Sequence, residues 1–183
     1  MLFRSESSVK EQAERFGDIA GELGGGPFEW ATKPEDRTRL WQARHDAYWS
    51  ALALRPGSKV IATDVCVPIS RLADCVEATQ RDLIETGLVA PIVGHVGDGN
   101  FHLTLLCNMD DADEIERCRL FLHRLVERSL AMEGTCTGEH GVGQEKMKYL
   151  LKEYDTATLD VMRSIKRAID PMNIMNPGKI VAV

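Results

Sequence analysis

The feature that most constrains the fold is a pair of apolar segments joined by a glycine-rich turn. Residues 91–96 and residues 101–107 are largely apolar, and they flank the sequence Gly97-Asp98-Gly99-Asn100. An Asp-Gly pair between two such segments is a strong signal for a β-hairpin, because glycine reaches the positive φ angles that tight turns need. The sequence therefore predicts an antiparallel strand pair that the rest of the fold has to accommodate.

Helical segments surround this predicted hairpin. Apolar residues at helical spacing predict helices on both sides of it, and a β-branched apolar run predicts a further strand over residues 59–67. This order of elements favours an α+β fold: a ferredoxin-like antiparallel sheet with helices packed on one face, followed by a helical C-terminal segment. The predicted helices lie at about residues 8–23, 35–54, 70–86, 111–132, 144–153 and 156–169, with Ser70 as a predicted cap, and short strands are expected at residues 1–4 and 135–137.

Length and composition exclude several classes of protein. The chain has 183 residues, a length sufficient to bury a core, and 44% of them are apolar and 27% charged, as in soluble globular proteins. Its formal charge of −6 argues against non-specific nucleic-acid binding. No apolar run reaches the roughly 20 residues of a transmembrane helix, and the N-terminus lacks a signal-peptide pattern. We expect a cytoplasmic protein whose five cysteines are reduced and mostly buried.

Three of the five histidines lie in two glycine-flanked stretches. His95 ends the first predicted hairpin strand and His102 lies near the start of the second, so a hairpin can bring them together. Glu139 and His140 lie side by side in the Gly-Glu-His-Gly sequence of residues 138–141. Two imidazoles and a carboxylate are a usual ligand set for a catalytic divalent metal. We expect His95, His102 and Glu139 to be ligands and His140 to be a base, since neighbouring side chains of an extended segment diverge.

The same residues also have purely structural explanations. Either histidine could satisfy local hydrogen bonds in an ordinary hairpin, and Glu139 could interact with a helix dipole. Arg44 lies in the aromatic-rich segment 40–49, where a guanidinium can bind a carboxylate or form a surface ion pair with Asp46. The residues alone favour the ion pair for Arg44. A metal-dependent hydrolase that activates water would also explain the predicted ligands.

Three motifs in order along the chain resemble a known family. They are residues 94–102, residues 138–143 and the Asp-Pro…Asn-Pro-Gly-Lys sequence of residues 170–179, and residues 41–44 and 63–68 extend the likeness. Together they resemble the C-terminal region of FAD-linked oxidases of the vanillyl-alcohol-oxidase type. Within that group the likeness is greatest to cytochrome-linked D-lactate dehydrogenases, followed by glycolate oxidase flavin subunits and D-2-hydroxyglutarate dehydrogenases.

This resemblance assigns roles to individual residues. It implies a divalent metal, zinc or manganese, held by His95, His102 and Glu139, with His140 as the catalytic base. It also places Arg44 on the substrate carboxylate, in place of the surface ion pair. Asn176 and Lys179 match a tail that returns to the flavin domain, so they are expected to contact the FAD cofactor. Ala62 stands where relatives that oxidise 2-hydroxyglutarate have a lysine, which favours lactate or glycolate over a dicarboxylate.

The resemblance further implies a division of labour. Residues 1–137 would form an α/β sandwich and residues 138–183 a helical tail, while the FAD-binding domain that precedes this region in the family is expected to be absent. The complete enzyme would oxidise D-lactate or glycolate to the 2-oxo acid and pass a hydride to FAD. The electrons would then go to an acceptor such as a cytochrome or quinone, and a peripheral position at a membrane electron-transfer chain is compatible with this. The chain alone is expected to be inactive, and a silent domain that only binds metal and hydroxy acid is the alternative.

Overall fold

Six helices and four short strands make up the described part of the chain, residues 5–183, in a computed structural model. The architecture is α+β with an antiparallel sheet, which confirms the predicted fold class. The strand predicted for residues 1–4 lies outside the described residues. The elements are α1 (Glu6–Glu22), α2 (Pro34–Ala53), β1 (Lys59–Ala62), β2 (Val65–Cys66), α3 (Ile69–Thr86), β3 (Ile92–His95), β4 (Asn100–Cys107), α4 (Ala112–Ala131), α5 (Met147–Glu153) and α6 (Thr156–Ile169).

The chain forms two compact units that divide after Ala47. Helix α1 and the first part of α2 belong to the first unit, and all residues from Tyr48 onward belong to the second. The sequence does not predict this boundary. It predicts one near residue 137 instead, and the residues on both sides of that position lie in the second unit. The division into a sandwich and a tail therefore stays a prediction.

The two helices of the first unit begin where the sequence provides starting signals. Ser5 caps α1, since its hydroxyl accepts the backbone N–H of Ser8 at 3.2 Å. Helix α2 begins at Pro34, whose fixed φ suits the first helical position. Within this unit the ring of Phe16 lies 5.1 Å from that of Phe28, so the segment after α1 folds back against the helix.

Strand β4 is the centre of the sheet in the second unit. Strand β3 pairs with one of its edges, with His95 opposite Asn100, and this confirms the predicted hairpin. Strands β1 and β2 pair with successive parts of the other edge. The turn requires glycine at position 99, where φ is +75° and an added Cβ would lie 2.0 Å from the carbonyl oxygen of Val67.

The strand predicted over residues 59–67 is interrupted at its middle. Thr63 and Asp64 lie between β1 and β2. Thr63 still holds the strand to β4, because its N–H donates to the carbonyl oxygen of Leu103 at 3.1 Å and its hydroxyl accepts the Leu103 N–H at 2.8 Å. Asp64 is only 1% exposed. The interruption therefore places a carboxylate inside the domain, at the edge of the sheet.

The sheet has one face covered by helices and one more open face. Phe101, Leu103 and Leu105 alternate along β4 and are buried against Phe121 and Leu125 of α4. Of the alternate residues of β4, which point the other way, His102 and Thr104 are only partly buried. The covered face builds the core, and the open face carries the predicted site.

Some of the other sequence predictions agree with the structure and others do not. Ser70 is not the cap of α3, because that helix begins one residue earlier at Ile69 without a side-chain cap, whereas Gly87 ends it in the left-handed conformation as expected. The strand predicted near residue 135 is reduced to a single bridge between Thr135 and Cys66. The five cysteines are free thiols and four of them are buried, as predicted. Among the described residues, no helix combines the length and hydrophobicity needed to span a bilayer.

Candidate functional site

Four side chains from two distant stretches of sequence meet at one point of the second unit. The Oε1 atom of Glu139 lies 3.0 Å from Nε2 of His102, 3.4 Å from Nε2 of His95 and 3.8 Å from Nε2 of His140. The structure thus brings together the three predicted metal ligands and the predicted base.

The hairpin places both of its histidines on the open face of the sheet. His102 pairs with Val93, and His95 pairs with Asn100. Directly opposite residues of an antiparallel pair point to the same face, as do residues two apart on one strand, so the two imidazoles share that face. Their ring centroids lie 5.7 Å apart and the rings are nearly perpendicular. The register of the hairpin alone therefore explains the pairing of these side chains.

The orientation of His102 is fixed by a backbone contact. Its Nδ1 lies 3.1 Å from the carbonyl oxygen of Thr63, and a carbonyl can only accept, so Nδ1 carries the proton. When the imidazole is neutral, the opposite nitrogen, Nε2, presents a lone pair to Glu139. Within the part of the chain that the structure describes, this buried Nε2 atom has no hydrogen-bond partner. Such an arrangement, in which the second nitrogen donates to a carbonyl, is typical of metal-binding histidines.

A second unsatisfied polar atom belongs to the same strand. Oδ1 of the buried Asn100 side chain also lacks a hydrogen-bond partner among the described residues. The amide packs so closely against Gly138 that a Cβ added there would lie 2.4 Å from this oxygen. Buried polar atoms without partners are rare in folded proteins and often mark the place of a water molecule or an ion. A larger residue at position 138 would therefore displace the Asn100 amide or the loop.

The turn that carries Glu139 and His140 is built around the carboxylate of Asp64. Its Oδ2 atom accepts the Thr137 hydroxyl at 2.7 Å, the N–H groups of Gly138 and His140 at 2.9 Å, and the N–H of Glu139 at 3.1 Å. Three successive backbone N–H groups that converge in this way form an anion-binding concavity. The segment is therefore a turn, and Asp64 fills its centre.

This carboxylate is held in its ionised form. Burial alone raises the pKa of Asp64, but hydrogen bonds from Thr137 and His140 together with the Lys146 ammonium outweigh that effect and lower the pKa to about 2. The Nζ atom of Lys146 lies 3.5 Å from Oδ2 of Asp64 and donates to its backbone carbonyl at 2.6 Å. Sequence reasoning misses both residues as parts of the site. The signal for Asp64 was an acid placed inside an apolar, β-branched run.

His140 and Glu139 do not diverge as an extended segment would require. Because the backbone turns around Asp64, both side chains point toward the hairpin. The imidazole of His140 stacks on that of His102, with centroids 4.9 Å apart and an angle of 12° between the rings. Its side chain is 48% exposed, whereas that of His102 is 14% exposed. His140 therefore lies at the open rim of the cluster, where solvent reaches it.

Two overlapping groups of side chains could hold a metal ion. One comprises Asp64, His102 and His140, and the other His95, His102 and Glu139. The oxygens of Asp64 are already occupied by the turn, which favours the second group. In a tetrahedral site with metal bonds of about 2.1 Å, ligand atoms lie about 3.4 Å apart. The separations of 3.0 and 3.4 Å from Glu139 to the two histidines fit that geometry.

A third group, Cys107, Glu114 and Cys118, is a poor candidate for metal binding. Burial raises the pKa of Cys118 to about 12, so this thiol stays protonated. Both carboxylate oxygens of Glu114 accept hydrogen bonds from the Arg55 guanidinium. This group is better explained as part of the core, in which an ion pair joins the residues after α2 to α4.

Arg44 lies on α2 in the first unit, whereas the cluster around Glu139 belongs to the second. The Arg44 guanidinium carbon is 5.3 Å from the centre of the Trp41 ring. Both residues line a cavity of about 320 Å³ together with Arg37 and Leu40. The tail residues Asn176 and Lys179 are exposed, and Asn176 adopts a positive φ of 48°. Their expected contacts with substrate and flavin stay predictions.

The sequence is similar to several known proteins over nearly its whole length. It is 49% identical to the "Probable D-lactate dehydrogenase, mitochondrial" of Danio rerio, in an alignment that covers 96% of this chain and 35% of that protein. It is 39% identical to the "D-lactate dehydrogenase [cytochrome], mitochondrial" of Arabidopsis thaliana, with coverage of 97% and 31%. It is 33% identical to "Glycolate oxidase subunit GlcD" of Bacillus subtilis, with coverage of 96% and 37%.

The matched proteins indicate the family, and each of them is much longer than this chain. The chain spans about a third of the length of the curated relatives it matches. Its fold is similar to that of the 4-ethylphenol oxidase from Gulosibacter chungangensis, with a TM-score of 0.66 at 16% identity, over 98% of this chain and 38% of that one. Residues 3–180 match the family described as "FAD linked oxidases, C-terminal domain". The chain therefore belongs to the family of FAD-linked oxidase C-terminal domains.

Proposed function

We propose that this chain is the substrate- and metal-binding domain of an FAD-dependent dehydrogenase that oxidises D-lactate or glycolate to the 2-oxo acid. The observation that carries the proposal is the position of Glu139 Oε1, within 3.8 Å of Nε2 in His95, His102 and His140. Family membership and the names of the relatives, D-lactate dehydrogenase and glycolate oxidase subunit, support the reaction.

His95, His102 and Glu139 would hold the divalent ion, zinc or manganese. The unpartnered Nε2 atom of His102 and the separations within the group support this assignment. When bound, such an ion lowers the pKa of a hydroxyl by stabilising the alkoxide. The Thr63 carbonyl keeps the lone pair of His102 directed toward Glu139, so the site is prepared for a cation in the folded chain.

His140 would act as the general base through Nε2. This atom lies at the exposed rim of the cluster, and the imidazole is held in place by its stacking on His102. A neutral imidazole accepts a proton readily near neutral pH. The Glu139 carboxylate lies 3.8 Å away, so it stabilises the positive charge that His140 acquires when it takes the hydroxyl proton.

Arg44 would bind the substrate carboxylate. Its planar guanidinium can form two parallel hydrogen bonds with a carboxylate, and it lies beside the aromatic ring of Trp41. Asn176 and Lys179 would contact the flavin, which supplies the hydride acceptor when bound. Electrons would then pass to an acceptor such as a cytochrome or a quinone.

The open face of the sheet favours a small monocarboxylic acid. Ala62 pairs with Thr104, and Thr104 lies two residues beyond His102 on the same strand, so all three side chains point to one face. A methyl group at position 62 offers no positive charge for a second carboxylate. This supports lactate or glycolate over 2-hydroxyglutarate as the substrate.

The decisive experiment follows electron transfer in the FAD-loaded protein that contains this chain. We expect D-lactate, and not L-lactate, to reduce an artificial dye acceptor. Removal of metal with a chelator should abolish dye reduction, and Mn²⁺ or Zn²⁺ should restore it. A metal-dependent hydrolase would need no flavin, so ester hydrolysis that continues without FAD would contradict the proposal. Binding of Mn²⁺ and D-lactate by the FAD-loaded protein, without any reduction of the dye, would instead identify a domain that only binds metal and hydroxy acid.

A further inference from the structure

Asp64 is the least exposed ionised group near the candidate site, and neither metal binding nor proton transfer uses it directly. We propose that Asp64 is a positioning residue: its carboxylate holds the turn of residues 137–140, and this orients Glu139 and His140 before any ion or substrate binds. This inference deepens the proposed function and rests on it, because it assigns a cause to the geometry of the proposed ligand and base.

The hydrogen bonds show how one carboxylate can define the turn. Oδ2 of Asp64 accepts three successive backbone N–H groups and the Thr137 hydroxyl, all at 2.7–3.1 Å. The segment lies outside any helix, so these N–H groups have no carbonyl of a preceding turn to bind. A buried anion satisfies all of them at once. Without it, the backbone would have to turn outward to reach water.

Lys146 closes the same loop from its other end. Its Nζ donates to the Asp64 carbonyl, and its backbone N–H donates to the carbonyl oxygen of Val142 at 3.2 Å. Lys146 is also the residue immediately before α5. Both ends of the loop, at Thr137 and at Lys146, are therefore fastened to Asp64. The positive charge of the partly buried lysine offsets the negative charge of the buried aspartate, which lowers the cost of keeping that carboxylate inside the domain.

The arrangement also explains why the strand is interrupted at Asp64. A regular strand from residue 59 to residue 67 would keep every side chain on one of the two sheet faces. The interruption after Ala62 turns the Asp64 carboxylate toward the loop while Val65 and Val67 return to the core. The strand is thus interrupted at Thr63 and Asp64, and Asp64 holds the loop of the site.

The first test measures the loop without any metal. In the metal-free chain, Asp64→Asn should speed hydrogen exchange of the N–H groups of residues 138–140 by about 10- to 100-fold relative to β4, the change expected from losing a hydrogen bond to a charged group. The amide offers a single acceptor oxygen and turns an NH₂ group toward donors. Asp82→Asn is the matched control, since Asp82 is a buried carboxylate bound by Arg124 and Arg128 of α4.

The second test measures the affinity for Mn²⁺. We expect Asp64→Asn to weaken it about 10- to 100-fold, as is usual when a residue that orients metal ligands is changed, and Asp82→Asn to leave it unchanged. Thr137→Val removes one of the contacts and should have a smaller effect of the same sign, which provides a folded variant if Asp64→Asn is too unstable.

The outcomes separate this inference from the proposed function. Unchanged exchange at residues 138–140 in Asp64→Asn and Thr137→Val would overturn the positioning role, whether or not the chain binds metal. Faster exchange in a chain that binds no Mn²⁺ or Zn²⁺ would support the positioning role and remove the metal from the proposed function. Equal loss of affinity in Asp64→Asn and Asp82→Asn would show that general destabilisation is the cause, and this would also overturn the inference.

Discussion

Glu139 Oε1 and His102 Nε2 lie 3.0 Å apart, and the buried Nε2 atom has no hydrogen-bond partner among the described residues. In a neutral imidazole the proton lies on the opposite nitrogen, which faces the carbonyl oxygen of Thr63. Two electron-rich atoms at this distance repel each other unless a cation lies between or beside them. A cation at this point, either a metal ion or a proton on Nε2, makes the contact favourable, so the geometry supports a cation site without reference to the family.

The ligand assignment predicts the effect of removing His95. Its Nε2 is 3.4 Å from Glu139 Oε1, so His95→Ala removes one of three ligands and should abolish metal retention by the folded chain. Elemental analysis after gel filtration measures the metal content. His123→Ala is the matched control, because His123 lies on α4 and its imidazole contacts the Tyr149 hydroxyl of α5. Equal metal content in the wild type and His95→Ala would remove His95 from the ligand set.

The role of His140 predicts a different pattern. In the FAD-loaded protein, His140→Ala should lower turnover of D-lactate by about 10²- to 10⁴-fold, the usual contribution of a general base. Metal content should remain, because His140 lies outside the proposed ligand set. Steady-state kinetics over a range of pH checks this, since loss of the base also removes its limb from the pH profile. A loss below 10-fold with an unchanged profile would argue against the assignment.

Much of the site follows from short-range features of the sequence. The Asp-Gly turn predicts the hairpin, and the hairpin alone brings His95 and His102 to one face. Glu139 and His140 reach that hairpin through long-range contacts. Their residue types suggest that they share a site with the two histidines, and the family resemblance assigns the ligand and base roles. The boundaries of α6 are predicted well because its periodic pattern has a clear cap at Asp155 and is followed by Pro171.

What the sequence does not predict depends on tertiary contacts. The apolar run of residues 59–67 has the pattern of a continuous strand, and only the donors of a loop more than 70 residues away explain why Asp64 interrupts it. For the same reason the convergence of Glu139 and His140 is unexpected. Neighbouring side chains diverge on an extended backbone, and the turn around Asp64 is not visible in the local sequence.

The close contact between Gly138 and Asn100 predicts a steric effect. A Cβ added at position 138 would lie 2.4 Å from Oδ1 of Asn100, so Gly138→Ala forces the loop or the amide to move. We expect a loss of about 1–3 kcal/mol in the free energy of unfolding, the range for overpacked sites, together with weaker binding of Mn²⁺. Thermal unfolding and metal titration measure the two effects.

Gly97→Ala provides the comparison for this substitution. Gly97 lies in the hairpin turn, and an added Cβ there meets no atom within 4 Å. The stability and the metal affinity of Gly97→Ala should therefore stay close to those of the wild type. If both variants lose metal to the same degree, a general sensitivity of the loops would be the better explanation.

The ion pair between Glu114 and Arg55 predicts a dependence of stability on pH. Hydrogen bonds from Arg55 lower the pKa of Glu114 from 4.5 to about 2. A lowered pKa stabilises the folded state above the unfolded pKa, so this contribution is complete above pH 4.5 and is lost as the pH falls toward 2. Glu114→Gln should lower Tm by about 5 °C at pH 7 and by much less near pH 2.

Glu116→Gln is the control for that measurement. Glu116 also binds an arginine, Arg119, but both side chains are more than half exposed. Exposed pairs contribute little to stability, so Tm should change by about 1 °C or less at any pH. A constant difference between the wild type and Glu114→Gln from pH 7 to pH 2 would show that the charge of Glu114 is not the cause.

The proposed role of Arg44 predicts that lysine cannot replace it. A lysine ammonium keeps the positive charge and loses the planar pair of donors that matches a carboxylate. In the FAD-loaded protein, Arg44→Lys should raise KM for D-lactate about 10-fold, which corresponds to the loss of one charge-assisted hydrogen bond. Arg37→Lys tests specificity, because Arg37 lines the same cavity as Arg44 and carries the same charge. Steady-state kinetics of both variants decides the matter: a similar rise in KM for each would mean that the effect is not specific to Arg44, and an unchanged KM in Arg44→Lys would remove Arg44 from substrate binding.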